Sequence, residues 1–110
     1  MDLNLIVLCG RLATDAELRV FDSGAKLIRY LVTTRVDYPR RRVDVLPVTF
    51  WDPPADLVDE PGEKGSRIWV CGSAQRRYWE SPDGRRSRIE VVAEQVSFEN
   101  VEQLAPVQSE

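Results

Sequence analysis

Hydrophobic and polar positions alternate with a period of two along most of this 110-residue chain, and the pattern predicts strands nearly throughout. Residues 3–12 are almost continuously apolar, which fits a strand with both faces covered or with one face at a subunit contact. Residues 18–21 form a short extended piece that ends in the turn Asp22-Ser23-Gly24. Residues 25–36 read as a long strand, with Ile28, Tyr30, Val32 and Thr34 on one face and Leu27, Arg29, Leu31, Thr33 and Arg35 on the other. The next strand, 43–51, is rich in β-branched and aromatic residues. Pro47 inside it demands a bulge, or a nitrogen turned away from any neighbour. Trp51 falls on the face opposite Phe50 and is expected in the core or as a plug at the barrel end.

Asp52-Pro53-Pro54 predicts a helix of at most two turns, capped by the aspartate and stopped by Pro61-Gly62. After the turn Lys64-Gly65-Ser66 comes the dominant feature, a hairpin over residues 67–98. Its first arm places Ile68, Val70, Gly72 and Ala74 on a core-like face and Trp69, Cys71, Ser73, Gln75, Arg77 and Trp79 on the other. Ser81-Pro82-Asp83-Gly84 supplies turn chemistry. The returning arm carries Arg85, Arg86 and Arg88 before Ile89, Val91 and Ala93, expected as a buried strand. Five main strands, with one short helix between the third and fourth, predict an all-β chain: a five-stranded Greek-key barrel of the OB type with extended basic hairpin loops. Periodicity alone leaves a sandwich open. Residues 1–100 are expected to form one domain and 101–110 a short polar tail.

Composition is that of an ordinary globular chain, 43% hydrophobic and 30% charged. The apolar run near the start is too short to span a bilayer and lacks a basic leader, so the expected location is cytoplasmic. Two cysteines, Cys9 and Cys71, are too few for a disulfide scaffold and read as buried free thiols. The absence of histidine argues against zinc, and no cofactor is expected. No glycine-rich phosphate loop occurs and no acids converge from separate strands, so no enzymatic activity is expected.

The net charge of −3 argues against a nucleic-acid partner until it is mapped. Residues 51–63 hold five acids and no base, and residues 90–110 again hold five acids and no base. Between them, residues 35–42 carry four arginines against Asp37, and residues 76–88 carry five against Glu80 and Asp83. Clustering sets the local potential that the total conceals. Of the fifteen basic residues thirteen are arginine, which both forks onto phosphate and stacks on bases. Tyr38 lies within the first basic cluster, and Tyr78 and Trp79 lie within the second. Aromatic and cationic groups in one place suit base stacking with phosphate neutralisation.

The run from Gly10 to Arg19 (GRLATDAELR), followed by Ser23-Gly24, resembles the opening of bacterial single-stranded DNA-binding proteins. Lys64-Gly65-Ser66 before an apolar strand and Gly72 is similar to that family, as is Arg76-Arg77-Tyr78-Trp79 ahead of Asp83-Gly84. The resemblance covers about residues 3–98 in order and spacing. It implies base-stacking roles for Tyr38, Phe50 and Trp79, with a fourth stacking position falling near Asp44, which cannot stack and would repel phosphate. Ala16 stands where the family has proline, and Pro47 where it has a regular strand. The family's glycine- and glutamine-rich tail with its acidic, apolar tip is missing after Val107-Gln108-Ser109-Glu110. That pattern suggests a divergent paralogue, or a phage or plasmid version, with no tail-mediated recruitment of repair proteins.

The expected function is therefore sequence-independent binding of single-stranded DNA in replication, recombination or repair. The expected contact set is Arg29, Arg35, Tyr38, Arg40, Arg41, Arg42, Phe50, Trp69, Arg76, Arg77, Tyr78, Trp79, Arg85, Arg86 and Arg88. A phenylalanine in a strand is more often core than ligand, and only the resemblance opens a contact role for Phe50; Trp69 is open between subunit contact and ligand. The alternative is a tail-less OB-fold adaptor resembling the primosomal replication protein N, acting mainly through protein contacts. The resemblance implies a homotetramer, although a dimer would equally satisfy the doubly apolar first strand.

Overall fold

The computed structural model describes residues 1–99, as six strands and one short helix. These are β1 (Ile6–Leu12), β2 (Glu17–Val20), β3 (Lys26–Val36), β4 (Arg42–Trp51), α1 (Ala55–Asp59), β5 (Arg67–Ser81) and β6 (Gly84–Phe98). The sheet order is β1-β5-β6-β4-β3-β2, and a second pairing of β1 with β3 closes five of the strands into a barrel. The short β2 lies outside the closure, against β3 only. The all-β barrel with its helix between the third and fourth main strands is the architecture that the number and order of the elements predict.

Alternation explains the core. Ile28, Tyr30 and Val32 of β3 meet Val48 and Phe50 of β4, and Ile68 and Val70 of β5 complete the lining. Six of these side chains are fully buried, each worth about 1.5–3 kcal/mol by removal from water. Tyr30 is the largest of them, and burial in this apolar interior pushes its hydroxyl pKa well above the ordinary value. Leu57, on α1, plugs the end of the barrel.

Several local expectations fail for definable reasons. Pro47 causes no bulge: β3 and β4 stay in one-to-one register through Leu31↔Pro47. Its missing donor falls just before the point where β6 joins β4, so no second ladder requires it there. Asp52 is not the helix cap; it has φ 52, and Pro54 occupies the cap position without a side-chain hydrogen bond. β1 begins at Ile6, and Leu3, Leu5 and Val7 are exposed along its outer side. Asn4 nonetheless pins this segment to β5: its Nδ2 donates to the carbonyl of Ala74 at 2.6 Å, and its Oδ1 accepts from the Ala74 amide at 2.9 Å. Ile89 is 61% exposed, although the pattern places it in a buried strand. Cys9 and Cys71 are free, as expected, but only half-buried.

Ile89 is exposed because β6 changes partners and register along its length. Pairing with β5 passes from Cys71↔Gln95 to Gly72↔Ala93 and leaves Glu94 as an extra residue, a β-bulge. The inward set is therefore Val91 and Ala93 before the bulge and Val96 and Phe98 after it. Beyond Val91 toward the turn, β6 pairs with β5 alone, so its apolar side chains have no barrel to enter.

Closure also depends on two close backbone approaches. At Gly10 and Arg11, β1 passes from pairing with β5 to pairing with β3, and a Cβ at Gly10 would collide with the Thr33 carbonyl oxygen. At the bulge, a Cβ on Gly72 would collide with the Val92 carbonyl oxygen. Both obstacles are backbone, which cannot swing aside as a side chain can. Gly10→Ala and Gly72→Ala are each expected to lower stability by about 2 kcal/mol, read as a shift in the urea midpoint. A loss under about 0.5 kcal/mol would show that the barrel closes without these contacts.

Candidate nucleic-acid interface

β4 and β6 run parallel and pair at Val48↔Val91 and Thr49↔Val92. The parts of both strands that precede these pairs therefore leave the barrel on the same side. One arm is the outer half of the β3–β4 hairpin, and the other is the outer half of the β5–β6 hairpin. Each is a two-stranded ribbon with both faces open to solvent. The acidic connector is elsewhere: Asp15, Asp59, Glu60 and Glu63 line a pocket beside Phe98, at the opposite end of β6 from the arms. The positive and negative clusters of the sequence are thus separated along the molecule.

The β3–β4 arm ends in a loop in which Tyr38 is 86% exposed. Its peptide bond to Pro39 is cis. Two of the four arginines here are committed to neighbouring acids: Arg35 Nε lies 3.1 Å from Asp37, and Arg42 Nε lies 2.9 Å from Asp44. The hydrogen bond and the charge of Asp44 push the Arg42 guanidinium above its ordinary pKa. Asp44, near which an expected stacking position falls, is thereby paired with Arg42. Among the described residues, Arg40 and Arg41 have no acidic partner within ion-pair distance, so they remain free beside the Tyr38 ring.

The β5–β6 arm carries Tyr78, 54% exposed, and Trp79, 40% exposed. The Arg85 guanidinium lies 4.5 Å from the centre of the Tyr78 ring, and that of Arg88 lies 5.8 Å from the Trp79 ring. Arg76 donates to Ser87 Oγ at 3.2 Å, while Arg86 is held by Asp83 at 3.2 Å and Ser81 at 3.4 Å. Arg77 faces Arg88 across the ribbon. Each guanidinium over an exposed ring makes a flat, cationic patch of the kind that bases and phosphates occupy.

Three expected contact residues lie off the arms. Phe50 is packed in the barrel core and is only 8% exposed, because its β4 position shares the inward face with Val48; it also lines the cavity that holds Trp69. Arg29 is half-buried on the outer wall, between Glu17 of β2 and Thr49 of β4. Trp69 is on the wall formed by β1, β5 and β6, opposite Cys9 and Ser97. Its indole nitrogen donates to Glu99 at 2.8 Å, and Arg67 lies 3.3 Å from the same carboxylate oxygen. Trp69, Val7 and Cys71 share one cavity of about 700 Å³, away from the ribbons.

One exposed aromatic feature escapes the sequence reading. Trp51 is not a plug: it is 43% exposed, stacks on Phe21 with 5.8 Å between ring centres, and lines a shallow pocket with Gln75, Arg76, Arg77 and Glu90 at the foot of the β5–β6 arm. The signal was available, since a strand whose Phe50 faces inward must send Trp51 outward.

Comparison with known proteins follows the same lines. Residues 3–99 match the single-strand binding protein family. The chain is 34% identical over 101 residues to single-stranded DNA-binding protein 2 of Listeria innocua, an alignment covering 87% of this chain and 64% of that protein. It is 32% identical to the single-stranded DNA-binding protein of Oceanobacillus iheyensis, over 87% of this chain and 63% of the relative. The chain therefore spans just under two-thirds of the length of these curated relatives. Among solved structures, a Plasmodium falciparum SSB complex with ssDNA superposes with a TM-score of 0.76 at 22% identity, covering 91% of this chain and 97% of the other. On the match across residues 3–99, the chain belongs to the single-strand binding protein family.

Proposed function

We propose that this chain binds single-stranded DNA without sequence preference, through the two arms at one end of its barrel. The observation that carries this reading is the exposed Tyr78 and Trp79 rings, each with an arginine at its face, on a ribbon that projects away from the acidic connector. Trp79, Tyr78 and Tyr38 stack on bases. Arg40, Arg41, Arg77, Arg85 and Arg88 neutralise phosphates, with Arg76 and Arg86 beside them. Arg35 and Arg42 contribute less because Asp37 and Asp44 already pair with them. Phe50 takes no part, and Arg29 and Trp69 lie outside this surface. The names of the relatives, and the ssDNA in the complex of similar fold, support the reading.

The adaptor alternative is not favoured, since the family matched over residues 3–99 is that of single-strand binding proteins. Replication, recombination and repair are the settings where such binding is used. Binding needs no chemical step, and we take the chain to be non-enzymatic and cytoplasmic. Among the described residues, no helix is long and apolar enough to cross a membrane. Residues 1–100 act as the binding domain in this account; the polar tail expected at 101–110 lies outside the described residues. Self-association through the exposed Leu3, Leu5 and Val7, at and just before the start of β1, would cover an apolar strip of the barrel wall. A homotetramer is the state that the resemblance implies.

Intrinsic tryptophan fluorescence should fall on titration with oligo-dT, and the affinity should weaken as salt rises, because each phosphate contact releases counterions. Trp79→Ala is expected to remove most of the quenching and to cost about 1–3 kcal/mol, roughly tenfold to a hundredfold in affinity. An absence of quenching at low salt would refute single-strand binding. Asp44→Asn releases Arg42, and should tighten binding while steepening the slope of log affinity against log salt by about 0.7, the value for one further contact on a single strand. An unchanged slope would place Arg42 outside the phosphate path.

A further inference from the structure

Tyr78 and Trp79 are neighbours in sequence, and in a strand that puts them on opposite faces. The cross-strand register extends this division to their arginines. Arg76, Tyr78 and Glu80 face the same way as Ile89, Ser87 and Arg85. Gln75, Arg77 and Trp79 face the other way, with Glu90, Arg88 and Arg86. The two cation–ring contacts respect the division: Arg85 sits over Tyr78 and Arg88 over Trp79. Both rings are open to solvent, and residues 75–80 and 85–89 are exposed on both faces of the ribbon.

Each face therefore holds its own ring and its own cations, with the peptide backbone of two strands between them. A nucleotide stacked on Trp79 cannot reach Tyr78, because the ribbon with its side chains is about 10 Å thick. The acids do not favour one side, since Glu80 lies on the Tyr78 face and Glu90 on the Trp79 face, while Asp83 in the turn is occupied by Arg86.

We propose that the β5–β6 arm holds two separate stretches of single-stranded nucleic acid at once, one on each face, and so bridges two strands or folds one strand back past itself. The second face rests on the single-strand reading above and gives each protomer a valence of two at this arm. A strand wrapped around such an arm is compacted, and two strands held on its faces are brought within about 10 Å of each other.

Isothermal titration of the intact chain with pentathymidylate at low salt tests this, counting oligonucleotides bound per protomer. The double variant Tyr78→Ala/Arg85→Ala should bind one fewer than the parent while the remaining events keep their affinity within about twofold. Trp79→Ala/Arg88→Ala should likewise bind one fewer, and the combined variant two fewer. Tyr78→Phe, which keeps the ring, should retain the full count. All four residues are exposed, and thermal melts confirm that the variants fold. If either double variant weakens the same single event, with no change in count and no further effect on combination, the arm has one site and the two-faced account is wrong. If the parent binds no oligonucleotide at all, the single-strand reading itself fails, and that result is distinct from a count that stays the same.

Discussion

Much of this molecule depends on a very short seam. Two consecutive residue pairs, Val48↔Val91 and Thr49↔Val92, join β4 to β6 in parallel and complete the closure that β1 makes by pairing with both β3 and β5. A parallel seam has a consequence that an antiparallel one would not: both strands arrive from the same side. The β3–β4 and β5–β6 hairpins are therefore carried outward together, and both become free ribbons where the seam ends. The bulge at Glu94 belongs to the same device. It lets β6 fill the barrel with Val96 and Phe98 and still align Val91 with the seam.

The same geometry lets an acidic chain accept the polyanionic partner proposed for it. A net charge of −3 would repel DNA if spread evenly. Here Asp59, Glu60 and Glu63 of the connector collect near Phe98, and nine of the arginines lie on the arms at the other end. Local ion pairs refine the pattern further. Asp37 and Asp44 each take up one arginine of the β3–β4 arm, so the positive field there comes mainly from Arg40 and Arg41, whereas the β5–β6 arm keeps most of its charge. In the proposed reading, the second arm is the stronger contact.

The barrel was largely legible because its strands follow one rule. Alternation in β3 and in the first half of β5 picks out the core face of Ile28, Tyr30, Val32, Ile68 and Val70, although Leu27 and Ser73 on the other faces are buried too, and the basic clusters mark both arms. What was not legible depends on where a strand has neighbours. Ile89 continues an apolar pattern past the point where β6 still borders the barrel, so its alternation promises a core that is absent. Trp51 is expected inward because it lies opposite a Phe50 that the resemblance draws toward a ligand; with Phe50 in the core, the same parity sends Trp51 outward. Phe50 was drawn outward only by the family resemblance, against its own strand pattern. Asp52 looked like a helix cap, but two prolines move the helix start to Pro54. The division of the β5–β6 arm into two faces follows from period two alone, yet clustering in sequence suggested one patch.

The central claim is that the arms, and not the barrel wall, carry the single strand. Hydrogen–deuterium exchange of the chain with and without oligo-dT addresses it directly. The account predicts slowed exchange in residues 36–42 and 76–88, with the wall around Val7, Trp69 and Cys71 unchanged by DNA. Protection confined to that wall, with both arms exchanging as in the free protein, would contradict it.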